Sequence, residues 1–328
     1  MKTTFITLST IILLTGAAFA QQKLDVQGHR GGMGLMPENT ISSMLNGVKV
    51  GAKTLELDVV ISSDSKVVVS HDAYMASDFM RKPDGSDIKK EEQMGMALYK
   101  MTYDSISRFD AGSKPHPHFP EQARMKTYKP LLTDLIDSVE AYVKKNKLKP
   151  VYYNIETKIS PAGDGIYNPK PDVFVQTMMD VLRKKNLGKR LTIQSFDIRT
   201  LQILHKTDPK IRLSLLAFGK MDLSSELNKQ GLDSAGLKKV KQAIAAYGKG
   251  GVDADLQKLG FTPDIYSPYY TSVNKEMVDK VHALKMQILP WTVDEVKDMT
   301  ALGALGVDGI ITNYPDRLVK LFGSYQTK

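Results

Sequence analysis

Cysteine is absent from all 328 residues, which excludes a disulfide framework, thiolate-bound zinc, an iron–sulfur cluster and a thiol nucleophile. Any metal must therefore sit on oxygen or imidazole ligands. Beyond the first twenty residues no apolar run approaches the roughly 20 residues needed to cross a bilayer, so no stable membrane insertion is expected. Read from Gly32, the pattern Gly-x-Gly-x-x-Gly meets Pro37 in its sixth place and fails, and neither a Gly-x-Ser-x-Gly elbow nor a His-Glu-x-x-His helix occurs. Basic residues form short runs such as Lys144-Lys145, Lys147 and Lys149, without zinc-finger or basic-zipper spacing. Such a run reads as a solvated helix face, and no nucleic-acid partner is expected. Internal repeats and low-complexity segments are also lacking.

What is present is ordinary for a folded chain: 42% hydrophobic and 25% charged residues, enough to bury a large core without staples. A formal charge of +9 favours anionic partners without identifying one. The first twenty residues carry Lys2, an apolar stretch through Ile11-Ile12-Leu13-Leu14, and Ala18-Phe19-Ala20 before Gln21. This is the pattern of a secretory signal peptide with an Ala-x-Ala cleavage site. Polar Thr7, Ser9 and Thr10 interrupt the apolar stretch, which argues against a membrane anchor. The expectation is an exported protein starting at Gln21, periplasmic if the source is Gram-negative.

Eight apolar runs suited to strands, at 24–29, 54–61, 151–156, 191–195, 211–217, 263–267, 288–292 and 309–312, alternate with stretches of helical spacing. That alternation predicts a parallel sheet, and eight repeats close most naturally into an α/β (β/α)₈ TIM barrel. Val273, Met277, Val281 and Leu284 are spaced as the apolar stripe of one outer helix. Residues 73–129 break the rhythm, rich in Lys, Met, Pro and Tyr and without a clear strand. They are expected to form a small inserted subdomain over the barrel mouth.

In such a barrel the chemistry lies at the C-terminal ends of the strands. The first run ends in His29-Arg30-Gly31-Gly32, and in the second Glu56 and Asp58 lie two apart and share a face. Two carboxylates on one face of a buried strand repel each other unless a cation or protons intervene, and a hard divalent cation is the simplest remedy. The segment 59–72 holds two β-branched stretches around a polar turn, a hairpin pattern. Centring the turn between Ser63 and Asp64 sets position 56 opposite position 71 and returns His71 to the side of Glu56. The third run ends Asn154-Ile155-Glu156-Thr157-Lys158, with Glu156 and Lys158 sharing a face. Three acids, two imidazoles and two cations suit phosphoryl transfer to or from an oxygen.

These residues, together with Pro37-Glu38-Asn39-Thr40, Val68-Val69-Ser70-His71-Asp72, Ser195-Phe196, Pro290-Trp291-Thr292-Val293 and Gly309-Ile310-Ile311-Thr312, resemble the glycerophosphodiester phosphodiesterases, in order and over roughly residues 24–320. The resemblance implies a (β/α)₈ barrel that cleaves small-molecule glycerophosphodiesters to sn-glycerol 3-phosphate and an alcohol with a divalent metal, Ca²⁺ or Mg²⁺. It further implies Glu56, Asp58 and Glu156 as metal ligands, His29 and His71 as the acid–base pair, Arg30 and Lys158 as phosphate contacts, and Trp291 on the glycerol side. Two departures stand out. Asn313 lies where many members carry Asp, and Pro130-Leu131-Leu132-Thr133-Asp134 follows Pro-Thr-Leu-x-Glu only loosely; neither is expected to touch the catalytic set.

Asn39 reads equally as the N-cap of the following helix or as a site residue. His116 and His118 read as packing within the inserted segment. A phosphatidylinositol-specific phospholipase C, which also pairs histidines, fits less well because the full acid trio is present. The sphingomyelinase D relatives typically carry disulfides. A non-catalytic phosphodiester-binding barrel would be expected to lose a catalytic group.

Overall fold

The computed structural model describes residues 24–219 and 251–327. The signal-like segment and its cleavage site lie outside the described residues. Each apolar run becomes a strand: β1 (Asp25–Gly28), β2 (Thr54–Ile61), β4 (Tyr152–Thr157), β5 (Leu191–Ser195), β6 (Arg212–Ala217), β7 (Ile265–Pro268), β8 (Gln287–Ile288) and β9 (Gly309–Thr312). All eight pair in parallel, in the order β8-β7-β6-β5-β4-β2-β1-β9. The two ends of that order meet through Asp308 N–H to Ile288 O (3.1 Å), Ile311 N–H to Pro290 O (3.0 Å) and Val293 N–H to Ile311 O (3.0 Å). The result is a nearly closed (β/α)₈ barrel. β8 is shorter than the expected 288–292 because Pro290 has no N–H to lend a ladder, although Leu289 and Trp291 still donate to Tyr266 O and Pro268 O.

Helices α1 (Ile41–Val50), α3 (Leu132–Lys145), α4 (Pro171–Leu182), α5 (Ile198–Thr207), α6 (Gly251–Leu259), α7 (Lys275–Ala283), α8 (Val296–Leu305) and α9 (Pro315–Phe322) cover the outside. Their apolar faces, among them Leu135, Val139 and Phe174, meet the outward side chains of the strands, such as Leu55, Leu57 and Val59, in one continuous core. On α7 the buried pair is Val278 and Val281, while Leu284 is 39% exposed and Val273 precedes the N-cap Asn274. Of the expected stripe, Val281 is buried and Val273 and Met277 pack partly buried against the core, whereas Leu284 is exposed and Val278 is buried in addition. No described helix is long and apolar enough to cross a membrane.

β3 (Val67–Val69) returns antiparallel along β2 in the register Val59–Val69, Val60–Val68 and Ile61–Val67. The sum of partners is one higher than expected, so position 56 faces position 72 rather than 71. In a continuing strand this shift would turn His71 outward with Leu57. The ladder instead stops at Ser70, whose hydroxyl donates to Asp72 O (2.6 Å) and folds the chain into a bend.

Residues 73–129 contain α2 (Tyr103–Ser107) and short 3₁₀ turns, with isolated bridges in place of strands among the described residues. They bury a second apolar cluster of Met75, Phe79, Met80, Leu98 and Ile106 against Val60 and Val68 of the hairpin. Gln122 Nε2 donates to Met33 O (2.7 Å), Ala123 N–H to Leu35 O (2.9 Å) and Lys100 Nζ to Gly165 O (2.9 Å). These bonds tie the segment to the loops that follow β1 and β4, at the end of the barrel where those strands finish.

Candidate active site

Register delivers the acids. Asp58 of β2 pairs with Glu156 of β4, and Glu56 with Asn154, so all four project into the barrel on adjacent strands. Ligand atoms of Glu56, Asp58 and Glu156 lie within 4.8 Å of one another, and all three residues are buried. Burial and the neighbouring Asp58 and Glu156 carboxylates push the Glu56 carboxyl well above its ordinary range. Burial likewise raises Glu156. Asp58 goes the other way: burial opposes its ionisation, but His71, Lys158, Arg30 and His29 together outweigh that cost and hold it low.

The trio is braced by polar neighbours from the loop after β1, from β5 and from the residue after β4. Glu56 accepts from Arg30 N–H (2.8 Å) and from Gln194 Nε2 (2.8 Å). Asn39 donates to Asp58 Oδ2 (2.8 Å) and accepts from Asp58 N–H (3.1 Å). Asn39 is therefore not the cap of α1; Thr40 is, its hydroxyl accepting from Ser43 N–H (3.1 Å). Glu38 receives both its contacts from Arg30 Nη1 (3.0 Å each), which fixes the guanidinium over the mouth with Nε 3.4 Å from Asp58 Oδ2. That Nε is buried without a hydrogen-bond partner, since the Asp58 oxygen is near but off its axis. Lys158 donates to Glu156 Oε1 (2.7 Å) and lies 3.9 Å from Asp58 Oδ1.

The turn carrying His29 and Arg30 is held in an unfavourable backbone shape. Arg30 has φ +50°, a left-handed conformation that ordinary residues adopt at a cost of roughly 1–2 kcal/mol. Its carbonyl is pinned by Ser43 Oγ (2.9 Å) and Asn39 N–H (3.1 Å). Gly31 (φ +86°) must be glycine because a Cβ would strike the Ser43 and Met44 backbone at 2.7–2.8 Å.

His29 Nδ1 lies 2.6 Å from Asn313 Oδ1. Burial, and next the Arg30 guanidinium, lower its imidazole to about 3. The expectation that Asn313 stands apart from the catalytic candidates is thereby corrected: β9 pairs with β1, which sets the residue after β9 against the residue after β1. The loose Pro130 motif does stay outside the acid trio, and its consequence is local, since Leu131 begins α3 without a side-chain cap. His71 reaches the same mouth through the Ser70–Asp72 bend, with Nδ1 3.1 Å from Asp72 Oδ1. Buried Lys129 stabilises that bend, donating to Ser70 Oγ (2.7 Å). The Val68–Leu131 bridge and the bond from Val69 N–H to Pro130 O (2.8 Å) place it there, so no sequence signal marked it.

Trp291 stands in the other half of the barrel, following β8, with its indole N–H on Ser267 O (2.8 Å). It meets Phe196, Phe218 and Tyr269 edge to face at 5.2, 5.8 and 5.2 Å between centroids. These rings follow β5, β6 and β7, so an aromatic wall faces the charged half across the mouth. Phe218 and Tyr269 went unmarked in the sequence because a single aromatic after a strand resembles ordinary core. His116 stacks on Phe79 (5.3 Å) and edges Phe119 (4.9 Å), packing within residues 73–129.

Comparison with known proteins adds an independent finding. The sequence profile of the glycerophosphoryl diester phosphodiesterase family matches residues 29–317. The glycerophosphodiester phosphodiesterase of Bacillus subtilis is 26% identical over 318 residues, 94% of this chain and 90% of its own. That of Bacillus altitudinis is 27% identical over 293 residues, covering 89% and 96%. Among solved structures, a Silicibacter pomeroyi protein assigned to the glycerophosphoryl diester phosphodiesterases superposes with a TM-score of 0.75 at 26% identity, covering 93% of this chain and 96% of its own. An Oleispira antarctica phosphodiesterase in complex with the product sn-glycerol-3-phosphate shares the fold, with a TM-score of 0.63 at 20% identity and coverage of 91% and 96%.

Proposed function

The chain belongs to the glycerophosphoryl diester phosphodiesterase family, and on that premise we propose how its barrel mouth hydrolyses glycerophosphodiesters to sn-glycerol 3-phosphate and an alcohol. The observation that carries the reading is the convergence of a buried acid trio, two imidazoles and two cations on one mouth. The trio fits a hard divalent cation, Ca²⁺ or Mg²⁺. Its ligand atoms are close enough to share one ion, and Asp58 Oδ1 is buried with no hydrogen-bond partner, an orphaned oxygen that an ion would satisfy. When bound, such an ion polarises a phosphoryl oxygen and offsets its negative charge.

The chain's own residues supply the rest. Arg30 Nε and the Lys158 ammonium flank the trio and contact the remaining phosphate oxygens, with charge-assisted hydrogen bonds. His29, whose Nδ1 side is engaged by Asn313, presents Nε2 to take the proton of the oxygen that attacks phosphorus, that of water or of the substrate's own glycerol 2-hydroxyl. His71, oriented by the Asp72 carboxylate beside its Nδ1, donates a proton to the departing alkoxide as the phosphorus–oxygen bond breaks. Trp291 and the rings around it take the carbon face of glycerol. Residues 73–129 wall the side where the alcohol protrudes and select among head groups by size; shortening them should reorder choline, ethanolamine, inositol and glycerol esters rather than lower all equally. Export to the periplasm completes the proposal, supported by the signal pattern before Gln21 and tested by N-terminal sequencing of secreted protein.

The deciding assay is glycerol 3-phosphate release from a panel of glycerophosphodiesters with and without chelator. Release that chelator abolishes and Ca²⁺ or Mg²⁺ restores is expected. Full activity in metal-stripped enzyme would overturn the metal assignment, and no release from any ester would overturn the substrate class.

A further inference from the structure

An acid absent from every motif lies one residue behind His29. Asp294, in the loop between β8 and α8, accepts from Asn313 Nδ2 (2.7 Å) at Oδ2 and from Asn313 N–H (2.9 Å) at Oδ1. Thr312 Oγ1 adds a longer contact to Oδ1 (3.3 Å), and Arg317 Nη1 holds the Asp294 carbonyl (3.3 Å). Asn313 is buried, and its free end meets His29 Nδ1 at 2.6 Å.

The two ends of an amide have nearly the same shape but opposite hydrogen-bonding sense. A carboxylate only accepts, so Asp294 compels the Asn313 nitrogen to face it. The amide oxygen must then face His29, and an oxygen can only accept. Nδ1 of His29 therefore carries the hydrogen, and in the neutral ring Nε2 keeps the lone pair. Were the amide reversed, its N–H₂ would require a bare Nδ1 and put the hydrogen on Nε2, leaving no base at the mouth. The hydrogen-bond partner of His29 is Asn313, and the charged groups that weigh most on it are Arg30 and Asp58. The Asp294 charge is kept one side chain away, so it orients the ring without pairing with it.

We propose that Asp294 is a positioning residue that sets the tautomer of His29 through Asn313. The inference rests on the reading of His29 as the proton acceptor. Loss of the partner that orients a metal-bound histidine costs about 10- to 100-fold in metal affinity or activity, and a wrong tautomer in a serine-protease triad costs about 10⁴. Asp294→Asn should accordingly lower kcat by about 10- to 100-fold with little change in KM.

The test is ¹⁵N-histidine NMR of the metal-loaded enzyme, with the His29 signals identified by their loss in His29→Gln. Wild type should show a protonated Nδ1 and a bare Nε2, and Asp294→Asn should show both tautomers. Exchanging the pair, Asp294→Asn with Asn313→Asp, sets a carboxylate directly against Nδ1. It should restore the single tautomer, recover kcat relative to Asp294→Asn, and move the acid limb of the pH profile upward. A wild-type His29 protonated on Nε2 would overturn the proposal, whether or not any variant folds. So would an Asp294→Asn enzyme with one unchanged tautomer, even if activity fell with the folded fraction. Failure of the underlying reading looks different: His29→Ala would retain turnover while the wild-type tautomer stayed as stated.

Discussion

Replacing Asn39 separates two jobs that one side chain performs. Its amide donates to ionised Asp58 and accepts from the Asp58 N–H, both in buried surroundings. A hydrogen bond to a charged group contributes about 1.5–3 kcal/mol and a neutral one about 0.5–1.5 kcal/mol, so removing both should cost about 2–4.5 kcal/mol of stability. The backbone adds a second cost, because Asn39 sits at φ +56°, where a non-glycine residue without a local partner is strained by about 1–2 kcal/mol. Asn39→Ala carries both penalties, whereas Asn39→Gly carries mainly the first. Urea unfolding should therefore rank wild type above Asn39→Gly above Asn39→Ala, the last two differing by about 1 kcal/mol or more. Both variants release the Asp58 carboxylate, so the Ca²⁺ or Mg²⁺ concentration giving half-maximal activity should rise by about 10- to 100-fold in each. Equal stability of the two variants would refute the backbone argument. An unchanged metal requirement would refute the bracing of Asp58.

Glu56→Gln keeps shape and removes one ligand charge, and a metal titration of activity should show weaker binding with turnover recoverable at high metal. His71→Ala should lower kcat by about 10² to 10⁴ at saturating substrate; near wild-type turnover would remove it from acid–base chemistry. The third concerns acid stability. His29 ordinarily titrates at 6.5 and is held at about 3 in the fold, so the unfolded chain binds a proton that the native protein refuses. Stability is complete above pH 6.5 and falls as pH drops from there toward 3. Between pH 6.5 and 5 the loss reaches about 2 kcal/mol, at 1.36 kcal/mol per unit. Denaturation curves of wild type should show this extra loss relative to His29→Gln, and parallel curves would refute the buried-neutral reading.

Local rules made much of this protein legible. Strand runs at 54–61, 191–195 and 309–312 coincide with β2, β5 and β9 because alternation and β-branched content act over neighbouring residues. The same alternation put Glu56 with Asp58, and Glu156 with Lys158, on shared faces, since a pleat has a period of two whatever surrounds it. Hydrophobic patterning also fixed the number of βα units. Other features depended on which segments meet. The hairpin register was one residue off because the turn, not the strand composition, sets the offset, and His71 still reached the mouth through a bend held by Ser70 and Lys129. Asn313 looked peripheral until closure of β9 on β1 laid it against His29, with Asp294 behind it. Asn39 and the rings of Phe218 and Tyr269 gained their roles the same way. Period and propensity are carried by adjacent residues and can be read along the chain, whereas partners 19 to 284 residues apart are chosen only when the barrel closes and buried polar groups must find one another.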